Sequence, residues 1–120
     1  MGYYSDVALC LTKNGMDQLK TALAEAEKNN PDNFAAIKML IGGEPSKIDE
    51  GSGSVVFLWE GEKWYDEFAE IAFVGELMDN LPHEEFLFIR IGEDYDDIET
   101  RGSYQCNPQR VRIAREIAAD

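Results

Sequence analysis

The residues at positions 86–91, FLFIRI, form a near-continuous apolar run that sets the strongest constraint on the fold. A run of this kind is typical of a strand inside a sheet with both of its faces covered. Residues 3–12 and 55–59 are also rich in strand formers, and residues 98–104 predict a further strand. The chain therefore needs a sheet around residues 86–91 and other elements to cover it.

Helical periodicity supplies that cover. Apolar residues from Met16 to Ala26 recur at helical spacing. Asn30-Pro31 predicts the start of a second short helix, which Gly42-Gly43 ends. Asp66 is a good N-cap for a third helix through about Asn80. We expect an α+β fold, with an antiparallel or mixed sheet of about four to five strands and two to three helices packed on one face.

The chain fits one domain, residues 1–120, with a flexible Gly/Ser/Pro-rich loop at residues 42–54. The element at residues 108–118 fits either a strand or a capped helix. The N-terminus lacks the basic region of a signal peptide, and no apolar stretch reaches membrane-spanning length. We therefore expect a cytoplasmic protein with reduced cysteines.

Acidic residues are concentrated in the middle of the chain. The net charge is −13, and residues 44–99 hold 17 acidic residues against three basic ones. Such a charge opposes direct binding to nucleic acid or to an anionic membrane. It favours a basic partner protein, and a nucleic-acid-binding host protein has the required basic surface.

Part of this acidity follows a regular spacing. Glu62, Asp66 and Glu70 lie four residues apart, so a helix that starts at or before Glu62 would align all three, and one that starts at Asp66 would align two. Nearby tryptophans could serve as apolar anchors, or could cover the core from its edge. The alternative for the carboxylates is a solvated acidic face. The candidate partner-binding residues are Trp59, Glu60, Glu62, Trp64, Asp66, Glu67 and Glu70.

Other chemistry has little support in the sequence. The weak candidates for a Ca²⁺ or Mg²⁺ site are Asp94, Asp96 and Asp97, although their spacing does not match an EF-hand. His83 is the only histidine, which excludes a multi-histidine zinc site, and a Cys106–His83 dyad has no supporting motif. We expect no cofactor, no catalytic residues and no enzymatic activity.

Residues 1–7, MGYYSDV, resemble the start of small uncharacterised acidic proteins encoded by phages and prophages. The short, acidic chain without catalytic motifs also looks like phage-encoded inhibitors of host defence, anti-CRISPR proteins among them. The resemblance covers the first predicted strand, transfers no functional residue, and implies inhibition by occlusion in the host cytoplasm. The alternatives are a self-associating structural or assembly protein of a phage and an immunity protein against a basic nuclease toxin. The chain would act as a monomer or a homodimer.

Overall fold

A computed structural model describes residues 2–103 as a five-stranded antiparallel sheet with three α-helices. The strand order is β2-β3-β1-β4-β5. This architecture confirms the expected α+β class. None of the helices in residues 2–103 is long and apolar enough to cross a membrane. In chain order the elements are β1 (Ser5–Leu11), α1 (Lys13–Asn29), α2 (Pro31–Ile41), β2 (Lys47–Asp49), β3 (Ser54–Glu62), α3 (Ala69–Asp79), a short 3₁₀ helix (His83–Glu85), β4 (Phe86–Ile91) and β5 (Ile98–Gly102).

The main core lies between the helices and one face of the sheet, which we call the helix face. Leu9, Phe57 and Phe88 point to this face and are buried against Leu19 of α1 and Val74 of α3. Thr12 sets the start of α1, because its hydroxyl accepts a hydrogen bond from the Gly15 amide at 3.0 Å. Burial of alternate strand residues against helical stripes drives the assembly of these layers.

The opposite face of the sheet, the second face, is also apolar. Cys10, Val56, Leu87 and Ile89 form a separate buried cluster there. Because alternate residues of β4 belong to the two clusters, β4 is covered on both faces, as the run at residues 86–91 predicts.

The predicted start of the third helix at Asp66 is wrong, since α3 begins at Ala69 and Phe68 is its N-cap. Residues 63–68 form a turn instead, in which the Phe68 amide donates to the Tyr65 carbonyl oxygen at 3.0 Å. Tyr65 is fixed from elsewhere, because its hydroxyl accepts a hydrogen bond from the Tyr3 amide at 2.5 Å. Glu62, Asp66 and Glu70 therefore do not form a helical stripe.

The region at residues 42–54 contains an edge strand that its Gly/Ser/Pro-rich composition does not predict. Residues Lys47–Asp49 form β2 and pair with β3. Gly53 adopts a φ of 76° where the chain turns from β2 into β3, a backbone conformation that favours glycine. The element expected at residues 108–118 lies outside the described residues, and so does Cys106.

Candidate functional site

The antiparallel register brings three acidic segments to one end of the sheet. Ser5 at the start of β1 pairs with Glu62 at the end of β3, while Asp6 pairs with Ile91 at the end of β4. Ile91 in turn pairs with Ile98 at the start of β5. We call this region the acidic end. Its carboxylates are those of Asp6, Glu60, Glu62, Glu93, Asp94, Asp96, Asp97 and Glu99.

Arg90 neutralises part of this charge from within the sheet. Its Nη2 lies 2.9 Å from Asp97 Oδ1, and its Nε lies 3.1 Å from Glu99 Oε1. A third hydrogen bond joins Nη1 to the hydroxyl of Ser5 at 3.0 Å. The Arg90 side chain is 16% exposed, so these interactions are shielded from water more than ordinary surface ion pairs are.

The N-terminal tyrosines fix the β4–β5 turn, residues 92–97, from the other side. The Tyr3 hydroxyl donates to Asp97 Oδ2 at 2.6 Å and accepts from the Asp94 amide at 3.1 Å. The Tyr4 amide donates to Glu93 Oε2 at 2.8 Å. Gly92 leaves room for this arrangement, because a Cβ there would collide with the Asp97 carboxylate and the Tyr3 hydroxyl. The turn is thus held by specific contacts.

These contacts shift the pKa values of the groups that make them. Hydrogen bonds from Arg90 first, and from the Tyr3 hydroxyl second, lower the pKa of Asp97 below its ordinary value of 3.8. The Asp94 amide favours the Tyr3 phenolate, but the hydrogen bond to Asp97 and burial outweigh it and raise the pKa of Tyr3. Asp97 is therefore a charged structural acceptor.

The β3–α3 segment, residues 60–70, carries a second group of carboxylates with a different environment. Glu60, Asp66 and Glu67 are exposed, and Glu62 and Glu70 are half-buried. Among residues 2–103, the ion pairs engage Asp79, Asp97 and Glu99, and no carboxylate of this segment takes part in one. Within residues 2–103, ion pairs therefore leave the negative charge of this segment unbalanced.

Both candidate tryptophans pack against the core. Trp59 Nε1 donates to the Leu40 carbonyl oxygen at 3.0 Å, and the Trp59 ring is stacked on Phe57 with centroids 6.0 Å apart. Trp64 packs between Trp59 and Phe88. This placement matches the alternative in which the tryptophans cover the core from its edge, and it leaves each indole half-buried.

Two other aromatic residues beside the β3–α3 segment are exposed at the surface. Tyr4 is 42% exposed and Phe68 is 36% exposed. Together with Glu62 and Glu70 they line a cavity of about 320 Å³. Lys63 also lines this cavity, and its Nζ lies 5.9 Å from the centroid of the Tyr4 ring. Sequence reasoning did not identify Phe68 as a surface residue, because a third helix that starts at Asp66 would include it.

The metal candidates Asp94, Asp96 and Asp97 do not converge as a group of ligands. The Asp97 carboxylate is engaged by Arg90 and Tyr3, while Asp94 contributes its amide to Tyr3. No group of three or more histidine, cysteine, aspartate or glutamate side chains within residues 2–103 is placed to hold a metal ion. His83 is exposed in the 3₁₀ helix, and its ring packs edge-on against the Phe86 ring with centroids 6.1 Å apart.

Comparisons with protein-family models, with curated proteins and with solved structures find no match to this chain. Its function must therefore be argued from the residues at the acidic end of the sheet.

Proposed function

We propose that this chain is a non-enzymatic binding protein that occludes a basic, nucleic-acid-binding surface of a partner protein. The observation that carries the proposal is the β3–α3 segment, whose five carboxylates make no ion pair within residues 2–103. Isolated negative charges repel one another, and a basic partner would relieve that repulsion. Charge of this density also accelerates encounter with a basic surface.

The cavity beside the segment suits the side chains that such a partner presents. Its aromatic walls, Tyr4 and Phe68, can pack against the aliphatic stem of a lysine or the plane of an arginine. Glu62 and Glu70 lie on the same cavity and supply the opposite charge. In this proposal, carboxylates take the place of nucleic-acid phosphates on the partner.

The resemblance of residues 1–7 to phage and prophage proteins supports a specific setting for this binding. A phage-encoded inhibitor of host defence, of the anti-CRISPR type, would act in the host cytoplasm on a nucleic-acid-binding host protein. Blocking the partner's basic surface would exclude its nucleic acid by competition for the same charges.

The test is affinity capture from bacterial lysate with the full chain, followed by titration of the recovered protein over a salt series. We expect a basic partner whose affinity falls as salt rises. The triple variant E62K/D66K/E70K should weaken binding by about 100-fold or more, because it replaces attraction with like-charge repulsion. The control E25K/E27K/D32K makes the same change in net charge on exposed positions of α1 and α2.

The two triple variants separate a local surface from a general charge effect. Equal losses in both would show that net charge alone drives binding. Unchanged binding in E62K/D66K/E70K would refute the assignment of the β3–α3 segment.

The edges of the sheet favour self-association as a second candidate function. Ile48 on the edge strand β2 is 54% exposed, and Ile98 on the other edge strand, β5, is 45% exposed. Exposed edge strands with apolar side chains can pair with a second copy. Light scattering would then give a dimer that I48K or I98K dissociates, and a monomer at every concentration would count against this function.

A further inference from the structure

The cavity beside the β3–α3 segment already contains a cation that belongs to the chain itself. Lys63 lines this cavity, and its Nζ lies 5.9 Å from the centroid of the Tyr4 ring, a distance at which the face of an aromatic ring attracts a cation. The stem of Lys63 passes close to Gly2, where an added Cβ would lie 2.6 Å from Lys63 Cε. The cavity is thus a place where a cation meets an aromatic wall.

Lys63 does not neutralise the two carboxylates of this cavity. Within residues 2–103, no ion pair joins it to Glu62, to Glu70 or to any other carboxylate. Glu62 and Glu70 are half-buried, so water solvates their charge less well than it does at exposed positions. The cavity therefore combines a ring that holds a cation with two acceptors that the Lys63 ammonium leaves without an ion pair.

Contacts outside the cavity hold its aromatic walls in place. The Phe68 ring packs against the Tyr65 ring with centroids 5.3 Å apart, and the Tyr65 hydroxyl accepts a hydrogen bond from the Tyr3 amide. On the other wall, the Tyr4 amide donates to Glu93 Oε2 at 2.8 Å. A ligand would meet walls that are already positioned, which lowers the entropic cost of binding.

We propose that this cavity binds one arginine side chain of the partner, and that Lys63 is an internal competitor which the arginine displaces. A guanidinium is a planar fork of N–H donors, so it can stack on an aromatic wall while it donates to both carboxylates. An ammonium is a compact and strongly hydrated charge. The volume of about 320 Å³ is small for a ligand pocket and suits a single side chain. This inference rests on the proposed function, because it names the partner group that the acidic surface takes.

The first test uses blocked glycine–arginine–glycine peptide, which needs no partner protein. In NMR titrations of the full chain, it should shift the ring signals of Tyr4 and Phe68 until they saturate. The peptide with lysine in place of arginine should bind about fivefold or more weakly. The peptide with citrulline keeps the shape of arginine without its charge, and it should give no saturable shift. Equal binding of the lysine peptide would refute selection of arginine, and equal binding of the citrulline peptide would refute recognition of its charge.

Removal of the Lys63 ammonium tests the competition. Lys63→Met keeps an unbranched stem, and it should tighten binding of the arginine peptide by about fivefold, because the arginine no longer displaces a cation. Lys47→Met is the matched control, since it makes the same change in net charge at an exposed position of β2 and should leave the affinity within about twofold. Equal gains in both variants would show that net charge changes the affinity and would refute displacement of Lys63.

Removal of one carboxylate tests the acceptor side of the cavity. Glu70→Gln should weaken binding of the arginine peptide by about fivefold or more, because its side chain no longer carries the charge that a guanidinium pairs with. Glu76→Gln makes the same change at an exposed position of α3 outside the cavity, and should leave the affinity within about twofold. Equal losses in the two variants would refute the assignment of Glu70.

Two outcomes separate this inference from the proposed function. Binding of the arginine peptide by a chain that captures no basic protein would refute the proposed function and support the pocket. Capture of a basic protein by a chain that does not bind the arginine peptide would refute the pocket and support the proposed function. Both measurements use the unsubstituted chain, so they do not depend on the folding of a variant.

Discussion

The β4–β5 turn and the β3–α3 segment meet at the same end of the sheet, yet they differ in how many of their carboxylates have polar partners within residues 2–103. The turn and the adjacent Glu99 of β5 supply five acidic residues, and the segment at residues 60–70 also supplies five. Around the turn, Arg90 and Tyr3 hold Asp97, Arg90 also holds Glu99, and the Tyr4 amide holds Glu93. In the segment, no carboxylate has an ion-pair partner within residues 2–103.

This difference separates carboxylates that make structural contacts from carboxylates whose charge no ion pair balances within residues 2–103. Through Tyr3 and Arg90, the carboxylates of Asp97 and Glu99 tie the N-terminal end of the chain to the end of β4 and the start of β5. The carboxylates of the β3–α3 segment repel one another, and no ion pair within residues 2–103 offsets this repulsion. The repulsion therefore lowers the stability of the folded chain. The proposed binding role would account for that cost, whereas a stabilising role would not.

Removing Arg90 should have the largest effect on stability. Arg90→Ala leaves Asp97, Glu99 and Ser5 without their shared donor, and we expect a loss of about 2–3 kcal/mol in the free energy of unfolding, measured by urea denaturation. The control Arg101→Ala breaks an ion pair to Asp79, whose side chain is 68% exposed, and should cost less than about 1 kcal/mol. Equal losses would mean that the turn is no better anchored than the surface.

Filling the space at Gly92 should have the next largest effect. Gly92→Ala forces the Asp97 carboxylate and the Tyr3 hydroxyl apart, and we expect a loss of about 2 kcal/mol in the same denaturation experiment. Gly75→Ala is the matched control, because within residues 2–103 its added Cβ would meet no atom within 4 Å apart from its chain neighbours and the backbone of α3 itself. Its stability should rise by up to about 1 kcal/mol. An unchanged free energy of unfolding in Gly92→Ala would show that the turn accommodates the added Cβ without a loss of stability.

Acid should remove the contribution of Asp97 to stability. Hydrogen bonds from Arg90 first, and from Tyr3 second, lower the pKa of Asp97 in the folded chain. Its contribution to stability is therefore complete above the pKa of the unfolded state and is lost as the pH falls through the pKa of the folded state. The stability difference between the native chain and Asp97→Asn should stay constant from neutral pH down to about pH 5 and shrink below about pH 4. A difference that is unchanged in acid would contradict the charged role of Asp97.

The sequence predicts the layers of this fold better than it predicts the site. The apolar run of β4 predicts a strand buried on both faces, and the spacing of Leu19 and Leu23 predicts a helix with one buried face. No local sequence pattern predicts that α3 starts at Ala69. It depends on Tyr65, which accepts a hydrogen bond from the amide of Tyr3, 62 residues earlier.

Contacts between residues distant in sequence also make the site difficult to predict. The charge count identifies residues 44–99 as acidic, but it does not distinguish Glu62 from Asp97. That distinction arises because β4 brings Arg90 opposite Glu99, while β1 brings Tyr3 to the same turn. The sequence likewise allows two interpretations of Trp59, because its indole donates to the carbonyl oxygen of Leu40, 19 residues away.

The smallest effect on stability should come from the segment proposed to bind the partner. Glu62→Gln and Glu67→Gln should each change the free energy of unfolding by less than about 0.5 kcal/mol, with a small gain because repulsion decreases. Asp97→Asn is the isosteric control in the turn, and its melting temperature should fall. A clear loss of stability in Glu62→Gln or Glu67→Gln would reveal a partner for these carboxylates inside the chain. The carboxylates would then be structural, and the comparison between the two acidic regions would no longer support a binding surface.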